Sequence, residues 1–253
     1  MCPHRIATVS ILPMNMVNSF ILVGERPVVV DSGIPGSGPK ILAALARQGF
    51  TPSDVSLILI THRHVDHIGG AAALKRATGA PVAVHNLDAE WLRRGEGGPR
   101  PPTGLGGYLF NLTGIPSQRA EPCDPDIVID SDFALERYGV PGGVVLHTPG
   151  HTAGSVSALL PNGDVLAGDL AIGGISFLGG IARKGHVRKP PYEDDPIAVR
   201  QSLVQLLDRG ASRFYVGHGG PLTAAGVRRY IAREPPADHL KSELPNKKGQ
   251  KED

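Results

Sequence analysis

Cysteine is scarce in this chain of 253 residues: Cys2 and Cys123 are its whole complement. Two thiols admit one disulfide at most, and neither lies in a CxxC pair, so a disulfide-stapled scaffold is excluded. Free thiols in a reducing compartment are the better reading. Long apolar runs are missing as well. None approaches the ~20 residues of a membrane span. The start, Met1-Cys2-Pro3-His4-Arg5, lacks the apolar core of an export signal. A cytoplasmic protein with no membrane partner is the expectation. Nor is there an excess of charge: 26 Lys and Arg face 24 Asp and Glu, a formal net of +2. That balance argues against a nucleic-acid partner.

What is present is a core and many turns. Hydrophobic residues make up 41% of the chain, enough to exclude wholesale disorder. The 33 glycines and 23 prolines are spread throughout, which predicts short elements joined by tight turns. Strand character falls at residues 6–12, 19–23, 27–31, 57–60, 81–85, 127–135, 143–147, 156–160, 165–166 and 214–216. Helical periodicity falls at 38–49, 70–78, 87–94, 196–207 and 223–233. Asp194 or Asp195 suits the cap of the helix at 196, with Pro196 in its first turn. Pro161-Asn162-Gly163-Asp164 signals a hairpin. Residues 96–126 and 170–195 read as irregular, and long irregular stretches are often binding loops. The apolar patch at 105–112, with Tyr108 and Phe110, suits either a pocket lining or a surface loop held down by its aromatics. Phe177 and Tyr192 stand in the other stretch. With no clean break, residues 1–236 read as one domain and 237–253 as a polar, disordered tail.

The chemistry is concentrated in Thr61-His62-Arg63-His64-Val65-Asp66-His67-Ile68-Gly69-Gly70. A buried strand precedes it and a helix start follows. One histidine at a strand end is ordinarily structural, and a His-x-His pair arises by chance. Three histidines and an aspartate in six positions are poorly explained that way, and all four side chains are metal ligands. Three further residues share the setting, after a strand and beside glycine: His151 in Pro149-Gly150-His151-Thr152, Asp169 in Gly168-Asp169, and His218 in Gly217-His218-Gly219. The hairpin brings the ends carrying His151 and Asp169 together. Asp31, closing an apolar strand, suits a turn cap or an acceptor for a ligand histidine equally well. His85 has no partner in sequence and reads as structural or exposed; Trp91 is expected to pack inward.

These motifs, in this order, resemble those of the metallo-β-lactamase superfamily, over nearly the whole length from residue 6 to the last helix. The resemblance implies an α/β fold, a four-layer αββα sandwich. It implies two divalent metal ions, zinc first, with iron or manganese as alternatives. His62, His64 and His151 would hold one, Asp66, His67 and His218 the other, and Asp169 would bridge them. It also implies a hydrolase that uses a metal-bridging hydroxide on a small acyl substrate, with Asp66 as both ligand and orienter of the nucleophile. A homodimer is compatible with it.

Within that family an Asp at position 66 and the lack of an export signal disfavour antibiotic hydrolysis. Thioesterases of the glyoxalase-II kind and acyl-homoserine lactonases share the ligand set. The former carry an extra glutathione-binding region after the last histidine, where only 35 residues (253 − 218) follow here. A mononuclear iron persulfide dioxygenase is the alternative from another class; it would leave Asp66, His67 and His218 as non-ligands. RNA-processing members need a basic clamp that this charge balance does not supply.

Overall fold

A computed structural model describes residues 5–112, 118–174 and 185–233. Phe177 and the tail from 237 lie outside them. The first sheet holds β1 (Arg5–Leu12), β2 (Val17–Val23), β3 (Val28–Val30), β4 (Leu57–Leu59), β5 (Val82–His85) and β6 (Ile127–Ile129), in that order. The pairings from β1 to β3 are antiparallel; those from β3 to β6 are parallel. The second half of the chain gives β7 (Phe133–Ala134), β8 (Val144–His147), β9 (Val156–Leu159) and β10 (Asp164–Leu166). A separate ladder of β11 (Ile172–Gly173) and β12 (Val187–Arg188) precedes β13 (Arg213–Tyr215) and β14 (Leu222–Thr223). The second sheet runs β14-β13-β10-β9-β8-β7.

Strand residues partition between cores with period two, as the pleat requires. In the first sheet, Val29, Ile58 and Ile60 join a core under α1 (Gly38–Arg47), a short α2 (Val65–Ile68), α3 (Ala71–Thr78) and α4 (Asn86–Arg94). Their neighbours Val28, Val30, Leu57 and Leu59 join a second core, which Val145, Val156 and Leu166 enter from the other sheet. Val165, Phe214 and Val216 point the opposite way, to a third core. It is closed by α6 (Pro196–Asp208) and α7 (Ala224–Arg233), which follow α5 (Leu105–Asn111). Three cores between four layers make the αββα sandwich. They also explain why the strands read as unbroken apolar runs, for both faces are buried. Each such Val, Ile or Leu contributes about 2 kcal/mol of burial.

Two expectations are corrected. The span 127–135 is two strands in different sheets. The chain crosses between them at Asp130-Ser131-Asp132, a polar triplet that marks a turn. Within 96–126 lies α5, and its Leu105, Tyr108, Leu109 and Leu112 are more than half exposed. The side chain of Phe110 lies outside those described, and Tyr108, so exposed, does not tack the segment down. Asn111 and Gly107 do so instead, by accepting hydrogen bonds from the buried Tyr192 hydroxyl. Asp195 caps α6, accepting from the N–H groups of Ile197 and Ala198. Asp194 is engaged elsewhere.

Candidate metal centre

The ligand cluster hangs from the parallel pair β3 and β4. Their register sets Val30 beside Leu59, so the residues just past each strand meet. Asp31 adopts the left-handed conformation (φ +61°) that aspartate tolerates better than most side chains. Its Oδ1 accepts from the Thr61 N–H at 2.8 Å, and its Oδ2 from the Thr61 hydroxyl at 2.8 Å. The same Oδ2 lies 2.8 Å from His67 Nδ1. Of the two roles open to Asp31, acceptor for a histidine of the cluster is the one observed. This contact fixes the His67 ring so that Nε2 faces the centre.

His64 then starts α2, whose single turn carries Asp66 and His67. The glycines that follow serve packing rather than substrate approach: a Cβ on Gly69 would meet Pro35 N at 2.4 Å. The glycine that matters most to the cluster is Gly217, where a Cβ would lie 2.2 Å from Asp169 Oδ1 and 2.5 Å from His67 Cε1. Only a bare backbone lets β13 deliver His218 there. Asn18, inside β2 rather than in the predicted break, steadies this turn by donating to the carbonyls of Val216 and Gly219, both at 3.0 Å. His218 Nδ1 donates to the Met16 carbonyl.

All seven predicted residues converge. His62, His64 and His151 form one group, with His64 Nδ1 and His151 Nε2 2.9 Å apart. Asp66, His67 and His218 form another, and His62, His67 and Asp169 a third. In each group the candidate ligand atoms lie within 4.8 Å of one another. Asp169 joins the groups: its Oδ2 is 2.9 Å from His218 Nε2, 3.6 Å from His67 Nε2 and 3.7 Å from His151 Nε2. Asp66 and His218 are partly exposed, at 34% and 25% of their side chains, and mark the open side. The other five are buried.

The donor set fits divalent cations. His62 Nε2 and His67 Nε2 are buried in the cluster without a hydrogen-bond partner. Each such orphan costs about 1–3 kcal/mol unless something pairs it. Burial holds the pKa of His62 and His64 well below the usual range and that of His151 at about 4, so all three are neutral, the form that ligates. For Asp66 and Asp169 burial pushes upward but is outweighed, at Asp66 by His67 and His218 and at Asp169 by His218 and His67, and both stay ionised. Burial opposes a charge on His67 and His218 too. At His67 it is outweighed by Asp31, Asp169 and Asp66, and at His218 by Asp169 and Asp66, which hold a proton there that a cation would replace. One half of the centre is thus neutral and the other rich in carboxylate.

Residues not singled out from sequence hold this geometry. Arg63, buried between ligands, donates through Nη1 to Asp88 Oδ1 at 3.3 Å and through Nη2 to Asp194 Oδ2 at 2.9 Å. Asp88, fully buried, also accepts from the Arg63 N–H and the Thr152 hydroxyl. It therefore ties the His62–His67 turn to the loop carrying His151. Nothing local marks Asp88 as special; its position near the start of α4 fits an ordinary first-turn acid. His85 is buried, caps α4 and stacks on His147, with centroids 4.0 Å apart. It is structural and not exposed. Trp91 is half-buried, with the Arg63 guanidinium 5.8 Å from its ring.

A four-layer sandwich with a His/Asp cluster at the mouth of its strands defines a class of metal-dependent hydrolases. The sequence matches the metallo-beta-lactamase superfamily model over residues 12–218, and the chain belongs to that superfamily. A probable metallo-hydrolase of Methanocaldococcus jannaschii is 26% identical over 80% of this chain and 87% of its own. The hydroxyacylglutathione hydrolase of Ectopseudomonas mendocina is 32% identical over 84% of this chain, which spans 63% of that relative. Among solved structures, an archaeal superfamily protein from Sulfolobus tokodaii aligns with a TM-score of 0.63 at 20% identity, covering 91% of this chain and 86% of that one. Among the described residues no helix is long and apolar enough to cross a membrane.

Proposed function

We propose that the chain hydrolyses an acyl bond of a small molecule, a thioester, lactone or related ester, at two divalent cations, zinc first. His62, His64 and His151 hold one, Asp66, His67 and His218 the other, and Asp169 lies between. The observation that carries this reading is the reach of Asp169 to His151, His67 and His218 within 3.7 Å. Such cations, when bound, supply Lewis acidity that makes water acidic near neutral pH and polarises an acyl oxygen.

The chain's own residues supply the rest. The neutral histidine group leaves its lone pairs free of competing protons. Asp31 fixes the His67 ring and tautomer through a charge-assisted bond. Asp66, the most exposed of the seven, is placed to accept a hydrogen bond from entering water and so orient it. The Tyr192 ring lies 6.4 Å from His64, but its hydroxyl is committed to Asn111 and Gly107. It is a wall, not an acid. Arg63 and Asp88 keep the two ligand loops in register. A mononuclear dioxygenase would leave Asp66, His67 and His218 without a shared task, whereas they stand together within ligand distance of one another.

The relative named as a hydroxyacylglutathione hydrolase makes a thioester the first substrate to try. The test is a panel of thioesters, lactones, esters, β-lactams and a phosphodiester given to the zinc-loaded protein. Turnover of a thioester, lactone or ester supports the reading. Turnover confined to the phosphodiester, or oxygen consumption on a persulfide with iron, overturns it.

A further inference from the structure

Arg100 stands on the loop between α4 and α5, and three contacts pin that loop beside the metal centre. The Pro99 carbonyl accepts from Arg63 Nη2 at 3.0 Å. Gly98 packs on the Arg63 side chain, where an added Cβ would meet Nε at 2.5 Å. Pro102 forms a β-bridge with Tyr192. The Arg100 guanidinium folds back over Gly97, whose Cβ position lies 2.1 Å from Nη2. With Trp91, Glu96, Gly97, Gln118 and Arg119 it lines a cavity of about 390 Å³, to which none of the seven clustered residues contributes.

Among the described residues the neighbouring cations are committed. Arg63 serves Asp88 and Asp194, Arg119 pairs with Glu96 at 2.9 Å, and Lys189 pairs with Glu193 at 3.2 Å. Arg100, half-buried, has no hydrogen bond or ion pair among the described residues. Its charge nonetheless bears on His64 and on Asp66, the residue that marks the open side of the centre. A guanidinium partly removed from water and left unpaired is costly, and an anion that arrives with the ligand removes that cost.

We propose that Arg100 anchors a carboxylate on the substrate, so that the acyl compound cleaved here is an anion. The proposal rests on the hydrolase reading above. One planar fork matches one carboxylate bidentately. A phosphate monoester, with more charge, calls for a second free cation, and Arg119 is taken by Glu96.

Calorimetry on the zinc-loaded protein tests this without turnover. Succinate and glutarate are each compared with their monomethyl esters. Every one of these ligands has a carboxylate free for the metals; only the diacids bring a second to Arg100. The expected result is that the wild type binds a diacid at least about tenfold more tightly than its monoester. Arg100→Gln removes the difference, and Arg100→Lys, which keeps charge but not the fork, retains part of it. Equal binding of diacid and monoester by the wild type, or a preference that survives Arg100→Gln, overturns the anchor. A kinetic arm compares an aryl hydrogen glutarate with its methyl ester. The wild type favours the acid in kcat/KM chiefly through KM, and Arg100→Gln levels the ratio. Hydrolysis of neither compound, together with an inactive thioester and lactone panel, sinks the hydrolase reading, while the calorimetry still decides Arg100.

Discussion

Asp31 Oδ2 lies 2.8 Å from His67 Nδ1, with both side chains buried. This one contact sets which nitrogen of His67 faces the metal centre and how firmly. The strand pairing that creates it is the parallel register of β3 on β4. Asp31→Asn keeps the volume and tolerates the left-handed backbone but removes the charge. Zinc affinity at one of the two positions is expected to fall about 10–100-fold. The other position is expected to stay near its wild-type value. Competition with a chromophoric chelator measures both.

Gly217→Ala tests how closely backbone and ligands are fitted. The new methyl group would overlap Asp169 Oδ1 and His67 Cε1. Displacing two ligands by the order of 1 Å is expected to lower kcat about 100-fold, with the fold largely kept. Turnover on the best panel substrate, with circular dichroism as the check on folding, measures it.

Asp88→Ala breaks the link between the two ligand loops and strips Arg63 of its most buried partner. Removing one member of a buried pair ordinarily costs 3–5 kcal/mol. Asp194 still neutralises Arg63, so a loss of about 3 kcal/mol in urea unfolding of the metal-free protein is expected. Asp194→Ala, on the half-exposed side, is expected to cost less.

His85 gives a pH dependence of known sign. Burial, then the stacked His147, lowers its pKa to about 4 from 6.5. The folded protein therefore binds fewer protons at this site than the unfolded chain. The stability it confers is complete above pH 6.5 and is lost progressively as pH falls towards 4. The total is up to about 3 kcal/mol. His85→Asn keeps an N-cap for α4 but does not titrate. The difference in unfolding free energy between wild type and variant is expected to shift by that amount across this window. A difference independent of pH would contradict the assignment.

Much of the cluster was legible in the sequence because the fold puts its side chains where chains ordinarily leave a sheet. His62 to His67, His151, Asp169 and His218 each follow an apolar run and sit by glycine, so pattern and chemistry coincide. The four layers could be read only through resemblance, since unbroken apolar strands say that both faces are buried but not by what. Asp88 and Asn18 were not legible. Their partners lie 64 residues away, at Thr152, and 198 residues away, at Val216. The Asp130-Ser131-Asp132 crossing was readable and was outweighed by the β-branched residues before it. Helix α5 was hidden by the glycines and prolines around it.

The proposal that Asp169 joins two cation sites is decided by the metal-to-protein ratio. The protein is loaded with zinc, desalted and analysed for metal by mass spectrometry. Two zinc ions per chain in the wild type, and marked loss of metal in Asp169→Ala, are the expected results. One ion per chain, retained when Asp66, His67 and His218 are replaced together, would contradict it.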